Sequence, residues 1–100
     1  MKHLWFTGHD GQKYIFFVCP KDAFFKRVSA VYVFLTADDG TGKVLYIGQT
    51  TDLSKSFSDH HKWDEATKLG FKYIATLPEE DSNLDFIARS LILSYNPQCN

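Results

Sequence analysis

Cysteine is scarce in this 100-residue chain: Cys19 and Cys99 lie far apart, with no Cys-x-x-Cys spacing. That pattern is not a disulfide framework or a metal knuckle, and reduced thiols in a cytoplasmic protein are the expectation. Long apolar runs are missing as well. Ile15–Cys19 and Ala30–Leu35 fall far short of the roughly 20 residues a membrane-spanning helix needs. Met1–Gly8 has no apolar core of a signal peptide. A soluble protein with no membrane partner is therefore expected. Neither sign of charge dominates, since 11 Lys and Arg stand against 12 Asp and Glu for a net charge of −1. Nucleic-acid affinity rests largely on neutralising phosphates, so this balance makes nucleic acid a weak partner unless a local basic face exists. Internal repeats, low-complexity stretches and an interdomain linker are also absent.

Rings are plentiful. Aromatic residues make up 16% of the chain, with nine Phe, five Tyr and two Trp. In a single domain of this size, which buries about 60–70% of its unfolded surface, rings fill a small core efficiently. Hydrophobic content of 44% and charged content of 23% are those of an ordinary packed domain.

Along the chain, His3–Thr7 and Lys13–Val18 read as a hairpin around Gly8-His9-Asp10-Gly11, closed by Pro20. Residues 21–28 form a connector with a helical turn expected around Asp22–Lys26. Val31–Thr36 is apolar on both faces, as a strand covered on both sides would be. Lys43–Gly48 returns from the turn at residues 37–42. A helix is expected from Asp52 as N-cap, with Leu53, Phe57 and His60 on one stripe. Asp64–Leu69 reads as a second helical piece closed by Gly70. Phe71–Leu77 is a third strand of this region, stopped by Pro78. Ser82 and Asp85 suggest a capping box opening a helix that runs to Tyr95. Its stripe is Leu84, Ile87, Ala88, Leu91 and Tyr95, with Phe86 and Leu93 opposite, so burial on two sides is expected. The order predicts an α+β fold, a small and mainly antiparallel sheet flanked by helices, with an N-terminal β-hairpin. Residues 1–27 read as the hairpin extension and residues 28–100 as the main domain.

Within residues 28–100 lies an ordered set of short patterns. Ala30-Val31-Tyr32 is followed by Tyr46-Ile47-Gly48 after a short turn. Gln49-Thr50 then leads to Asp52-Leu53 at a helix start, with His60 beyond it. A late helix ends in Pro97-Gln98-Cys99-Asn100. Each piece alone is weak, since any buried strand ending in Gly can read Tyr-Ile-Gly. Together they resemble the GIY-YIG nuclease family over nearly three quarters of the chain. The resemblance implies the family fold and puts Tyr32 and Tyr46 at the two motif tyrosines, although Ala30 and Val31 replace the leading Gly and Ile. It puts His60 at the helix histidine and Asn100 at the terminal asparagine. Ser56 stands where the family has Arg, and Ala88 where it has its metal-binding Glu.

Those two departures decide the chemistry the resemblance implies. Phosphodiester hydrolysis needs a deprotonated water, a divalent cation on the phosphate, and positive charge facing the transition state. The family implies Mg²⁺ or Mn²⁺ held by a carboxylate, and Ala88 offers none. Losing one preorganised electrostatic donor costs about 10²–10³ in rate, so an endonuclease domain inactive or crippled at Ser56 and Ala88 is expected. Lys55 points about 100° away from Ser56 around a helix, while Asp85, one turn before Ala88, is a conceivable displaced carboxylate.

Plainer readings stand beside these. Tyr32 and Tyr46 fit as ordinary strand aromatics, and Ala88 as a packing residue. His60 and His61 lack the further ligands a zinc site requires. Lys62, Lys68 and Lys72 are diluted by Asp59, Asp64 and Glu65. The alternative function is a non-catalytic module that keeps the nuclease fold to bind nucleic acid or a protein partner, with the hairpin as a possible homodimer edge. Under the nuclease reading, Tyr32, Tyr46, Ser56, His60, Ala88 and Asn100 should gather around one shallow groove.

Overall fold

The computed structural model describes residues 2–100. In chain order they form strands Lys2–Thr7 (β1), Lys13–Pro20 (β2), Ala30–Leu35 (β3) and Val44–Thr50 (β4). Helix Trp63–Lys68 (α1), strand Tyr73–Pro78 (β5) and helix Asp81–Tyr95 (α2) follow. The five strands make one sheet in the order β1-β2-β5-β3-β4, antiparallel throughout. The α+β class expected from the sequence is the observed one.

Turn chemistry makes the first hairpin. Gly11 adopts φ 83°, a conformation costly for residues with a Cβ. The Gly8 N–H donates to the Gln12 carbonyl at 2.8 Å, and the Asp10 carboxylate accepts from the Gln12 N–H. The hairpin is part of the same sheet as the rest: β2 pairs with β5, and Phe6, Phe16 and Val18 share a core with Val31, Val33 and Leu84. Central β5 joins the β1–β2 and β3–β4 pairs. β3 carries no polar side chain except the Tyr32 hydroxyl and is buried at all six positions, as its two-faced apolar pattern predicts.

Period-two alternation sorts the core into two layers. Val31, Val33, Leu35 and Ile47 face α2, together with Phe16 and Ala75, and meet Leu84, Ile87 and Leu91 of that helix. Tyr32, Phe34 and Ile74 face the other way, where Phe71, Ala66 and Leu53 cover them.

Four local expectations need correcting. Residues 22–26 form no helix; only a turn closes there, with the Ala23 N–H on the Pro20 carbonyl. The helix expected from Asp52 stops after a single 3₁₀ turn, Leu53–Lys55. Asp52 does cap it, accepting from the Ser54 N–H, but the Ser56 hydroxyl bonds back to the Asp52 carbonyl. Such local side-chain bonds compete with helix propagation, and Ser54, Ser56 and Ser58 are weak helix formers. The capping box at Ser82 and Asp85 does not form, because α2 already begins at Asp81 and has no side-chain cap. Asp85 instead pairs with Arg89 at 2.9 Å and accepts from Gln49. Finally, α2 is buried on one side only. Phe86 and Leu93 are 61% and 66% exposed, since no layer lies beyond the helix.

α2 ends as expected, with Asn96 left-handed at φ 46° and its N–H on the Ile92 carbonyl before Pro97. Among the described residues, no helix is long and apolar enough to cross a membrane.

Candidate functional site

Register brings the motif tyrosines together. In the β3–β4 ladder Tyr32 faces Gly48 and Phe34 faces Tyr46, with an irregularity beside Phe34 and Leu35. That bulge places Val44 against the α2-side core while Leu45 joins Tyr46 in the other layer. The rings of Tyr32 and Tyr46 sit 6.0 Å apart between centroids. Gly48 makes this possible: a Cβ there would lie 2.5 Å from the Tyr32 Cζ and Oη and 2.8 Å from the Tyr46 Cε2. The glycine of the Tyr-Ile-Gly pattern is thus a requirement of side-chain space.

The segment after the 3₁₀ turn delivers His60 to the same place without being helical. Tyr32 Oη and His60 Nε2 are 2.6 Å apart. His60 Nδ1 accepts from the Lys62 N–H at 3.0 Å, which leaves that nitrogen without a proton. A neutral His60 must then carry its proton on Nε2 and donate it to Tyr32 Oη, freeing the phenol proton for another acceptor. Protonating His60 would oppose Nδ1–H to the Lys62 N–H. Burial, reinforced by the neighbouring His61, lowers the His60 pKa to about 4. Burial, with the Tyr46 phenol beside it, pushes the Tyr32 hydroxyl well above its ordinary value. Both groups are therefore neutral at pH 7.

Rings close the surroundings. Phe57 meets Tyr32 edge-on at 5.0 Å, Phe34 stacks on Phe71 at 4.2 Å, and His60 stacks on His61 at 4.8 Å. Tyr32 is only 4% exposed, with Tyr46 and His60 half-buried beside it. Cavities of about 300–430 Å³ open elsewhere, and none of these is lined by Tyr32, Tyr46 or His60. Tyr32 lies within a packed aromatic layer, with Tyr46 and His60 at its partly exposed margin.

The other anticipated residues divide. Asn100 reaches β4, accepting from the Ile47 N–H and donating to the Ile47 carbonyl, each at 2.8 Å. With the Cys99 N–H on the Leu45 carbonyl, the chain end covers an outer sheet edge. Ser56 is half-buried at the end of β4, bonded to the Thr50 hydroxyl and the Asp52 carbonyl. Ala88 does not join the cluster. It is 3% exposed in the α2-side layer with Val31, Val33 and Ile47, across the sheet from Tyr32 and Tyr46. Residue spacing on a helix fixes which residues share a face, but not which sheet face the helix covers.

The donors do not suit a hard divalent cation. Both His60 nitrogens are committed, Tyr32 is a neutral phenol, and the Asp85 carboxylate is engaged by Gln49 and Arg89 on the α2 side. Among the described residues, no group of three or more His, Cys, Asp or Glu is placed to hold a metal ion. Phe34 and Phe57 pack against the pair, with Trp63 behind them; Phe57 was placed beside His60 by its stripe, while Phe34 and Trp63 carried no signal beyond their aromatic character.

No family model, curated protein or solved structure matches this chain.

Proposed function

We propose that this protein is a GIY-YIG-like endonuclease domain that has lost phosphodiester cleavage and acts as a binding module. The Tyr32–His60 hydrogen bond, with Tyr46 alongside, carries the reading. Three residues of the motif pattern converge there from separate segments. Yet a phenol held neutral and a histidine with both nitrogens engaged supply neither a base nor a metal ligand at pH 7. The pair holds β3 against the 3₁₀ turn and α1, keeping the frame without its reaction. Free Cys19 and Cys99 suit a reducing, cytoplasmic setting.

A plasmid-nicking assay with Mg²⁺ or Mn²⁺ tests the proposal. The expected result is no metal-dependent nicking. Nicking that requires metal and disappears in Tyr32→Phe and His60→Ala would overturn it.

A further inference from the structure

The sheet has two outer edges, and they are finished differently. The chain end covers β4, where the Leu45 carbonyl and both backbone groups of Ile47 are bonded. β1 has no such cover. The Gly8 N–H turns inward to the Gln12 carbonyl, whereas the Thr7 N–H turns outward and donates to Tyr95 Oη at 2.9 Å. Backbone groups alternate sides along a strand, so the N–H and carbonyl of Trp5 also point outward. Among the described residues, neither has a hydrogen-bond partner.

That edge opens into a cleft of about 400 Å³, lined on one side by Leu4, Trp5 and Phe6. Consecutive strand residues point to opposite faces, so the edge of β1 itself forms this wall. Val44 at the start of β4 and the turn before it form the other wall, and Tyr95 stands at the Thr7 end. At the far end the turn meets β1. Asp38 pairs with Lys2 at 3.5 Å, and a Cβ on Gly40 would lie 3.7 Å from the Leu4 side chain.

We propose that this cleft binds an extended peptide, which pairs with the Trp5 backbone as a short added strand. An N–H and a carbonyl on one residue, open at a strand edge, are complemented by another extended backbone. Tyr95 Oη already occupies the place of such a partner carbonyl at Thr7. The open stretch from Leu4 to Thr7 spans roughly 10 Å, which a segment of about four residues matches. Leu4, Val44 and Tyr95 line the cleft, so the side chains that the peptide turns inward are apolar. A second copy of this chain would bring β2 and the rest of its sheet alongside β1, where the turn at residues 37–42 stands across the cleft; a lone strand does not. Neither Tyr32 nor His60 lines the cleft, so peptide binding is independent of the outcome of the nicking assay.

The test is an NMR titration of the isotope-labelled protein with the capped synthetic peptide Thr-Val-Thr-Val-Thr-Val-Lys. The Trp5 amide should shift and exchange more slowly with solvent as peptide is added, with smaller shifts at Thr7 and Val44. Trp5→Pro removes the outward N–H at an edge position that tolerates proline. It should weaken binding about three- to tenfold, the effect of one hydrogen bond. Trp5→Ala keeps the N–H and should bind nearly as the wild type does. The same peptide N-methylated at every residue keeps its side chains, loses its donors and should not bind. No shift at Trp5, equal binding of the N-methylated peptide, or equal binding by Trp5→Pro and Trp5→Ala would overturn the proposal. So would Trp5 protection that rises with protein concentration alone, which would give the edge to a second copy.

Discussion

Tyr32 Oη accepts a hydrogen bond from the Nε2–H of neutral His60 across 2.6 Å because Lys62 donates its backbone N–H to the other ring nitrogen. One backbone group thus sets the tautomer of His60 and the direction of its bond to Tyr32. The usual assumption for a Tyr–His pair, with histidine pulling the phenol proton, is reversed.

A pH dependence follows. The folded His60 pKa is lowered to about 4 from a usual value of 6.5. Below pH 6.5 the unfolded chain binds a proton that the folded chain refuses, so this contribution is full above 6.5 and lost as pH falls towards 4. Denaturation midpoints should fall across that window more in the wild type than in His60→Phe. An NMR titration should find the His60 midpoint well below those of exposed histidines; a midpoint near 6.5 would contradict the burial argument.

Gly48→Ala should displace Tyr32. The new Cβ would stand 2.5 Å from the Tyr32 hydroxyl, and overpacking of this kind costs about 1–3 kcal/mol. Denaturant unfolding should show that loss, together with altered His60 ring resonances as its bond to Tyr32 breaks. An unchanged His60 spectrum would mean the tyrosine has room to move.

Introducing Arg and Glu at positions 56 and 88, as the nuclease resemblance would place them, should not produce cleavage. Ser56→Arg gives up the bonds to Thr50 and Asp52, whereas Ala88→Glu buries a carboxylate among Val31, Val33 and Ile47. An unpaired buried charge costs about 3 kcal/mol or more, so Ala88→Glu should destabilise the fold strongly. The double variant should remain silent in the nicking assay. Metal-dependent cutting by it would show that the glutamate reaches the tyrosines despite the intervening sheet.

Asn100→Ala should loosen an edge of the sheet. It removes both hydrogen bonds to Ile47, each worth about 0.5–1.5 kcal/mol net. Hydrogen exchange at the Ile47 amide should accelerate more than at Val33, its ladder partner. Equal protection in both proteins would mean that water replaces the clamp without cost.

The strands were legible because their signal is local. β3 announces itself as six apolar residues, and β1 and β2 as ring-rich runs around a glycine turn. The convergence of Tyr32, Tyr46 and His60 was legible from the motif order, although the route to His60 was not. Asp52 looks like a helix cap and is one, but it caps a single 3₁₀ turn. The bonds that stop the helix there run from serine hydroxyls to backbone and threonine oxygens, a competition that apolar spacing does not register. Phe86 and Leu93 misled for a related reason. Periodicity places them opposite Leu84 and Ile87, but only the number of layers decides whether that side meets protein or water. Ala88 depended on which face of the sheet α2 covers, a fact of tertiary structure with no trace in helix spacing.

The sheet order β1-β2-β5-β3-β4 also governs how the molecule can assemble. The strand last in sequence is third in space, so the β1–β2 and β3–β4 hairpins share no ladder until residues 73–78 arrive. A chain emerging from the ribosome therefore carries two unjoined hairpins with facing, unsatisfied edges. β5 pairs with β2 on one side and β3 on the other and so joins them into one sheet. Partial versions of this protein are for that reason the forms most prone to pairing with one another.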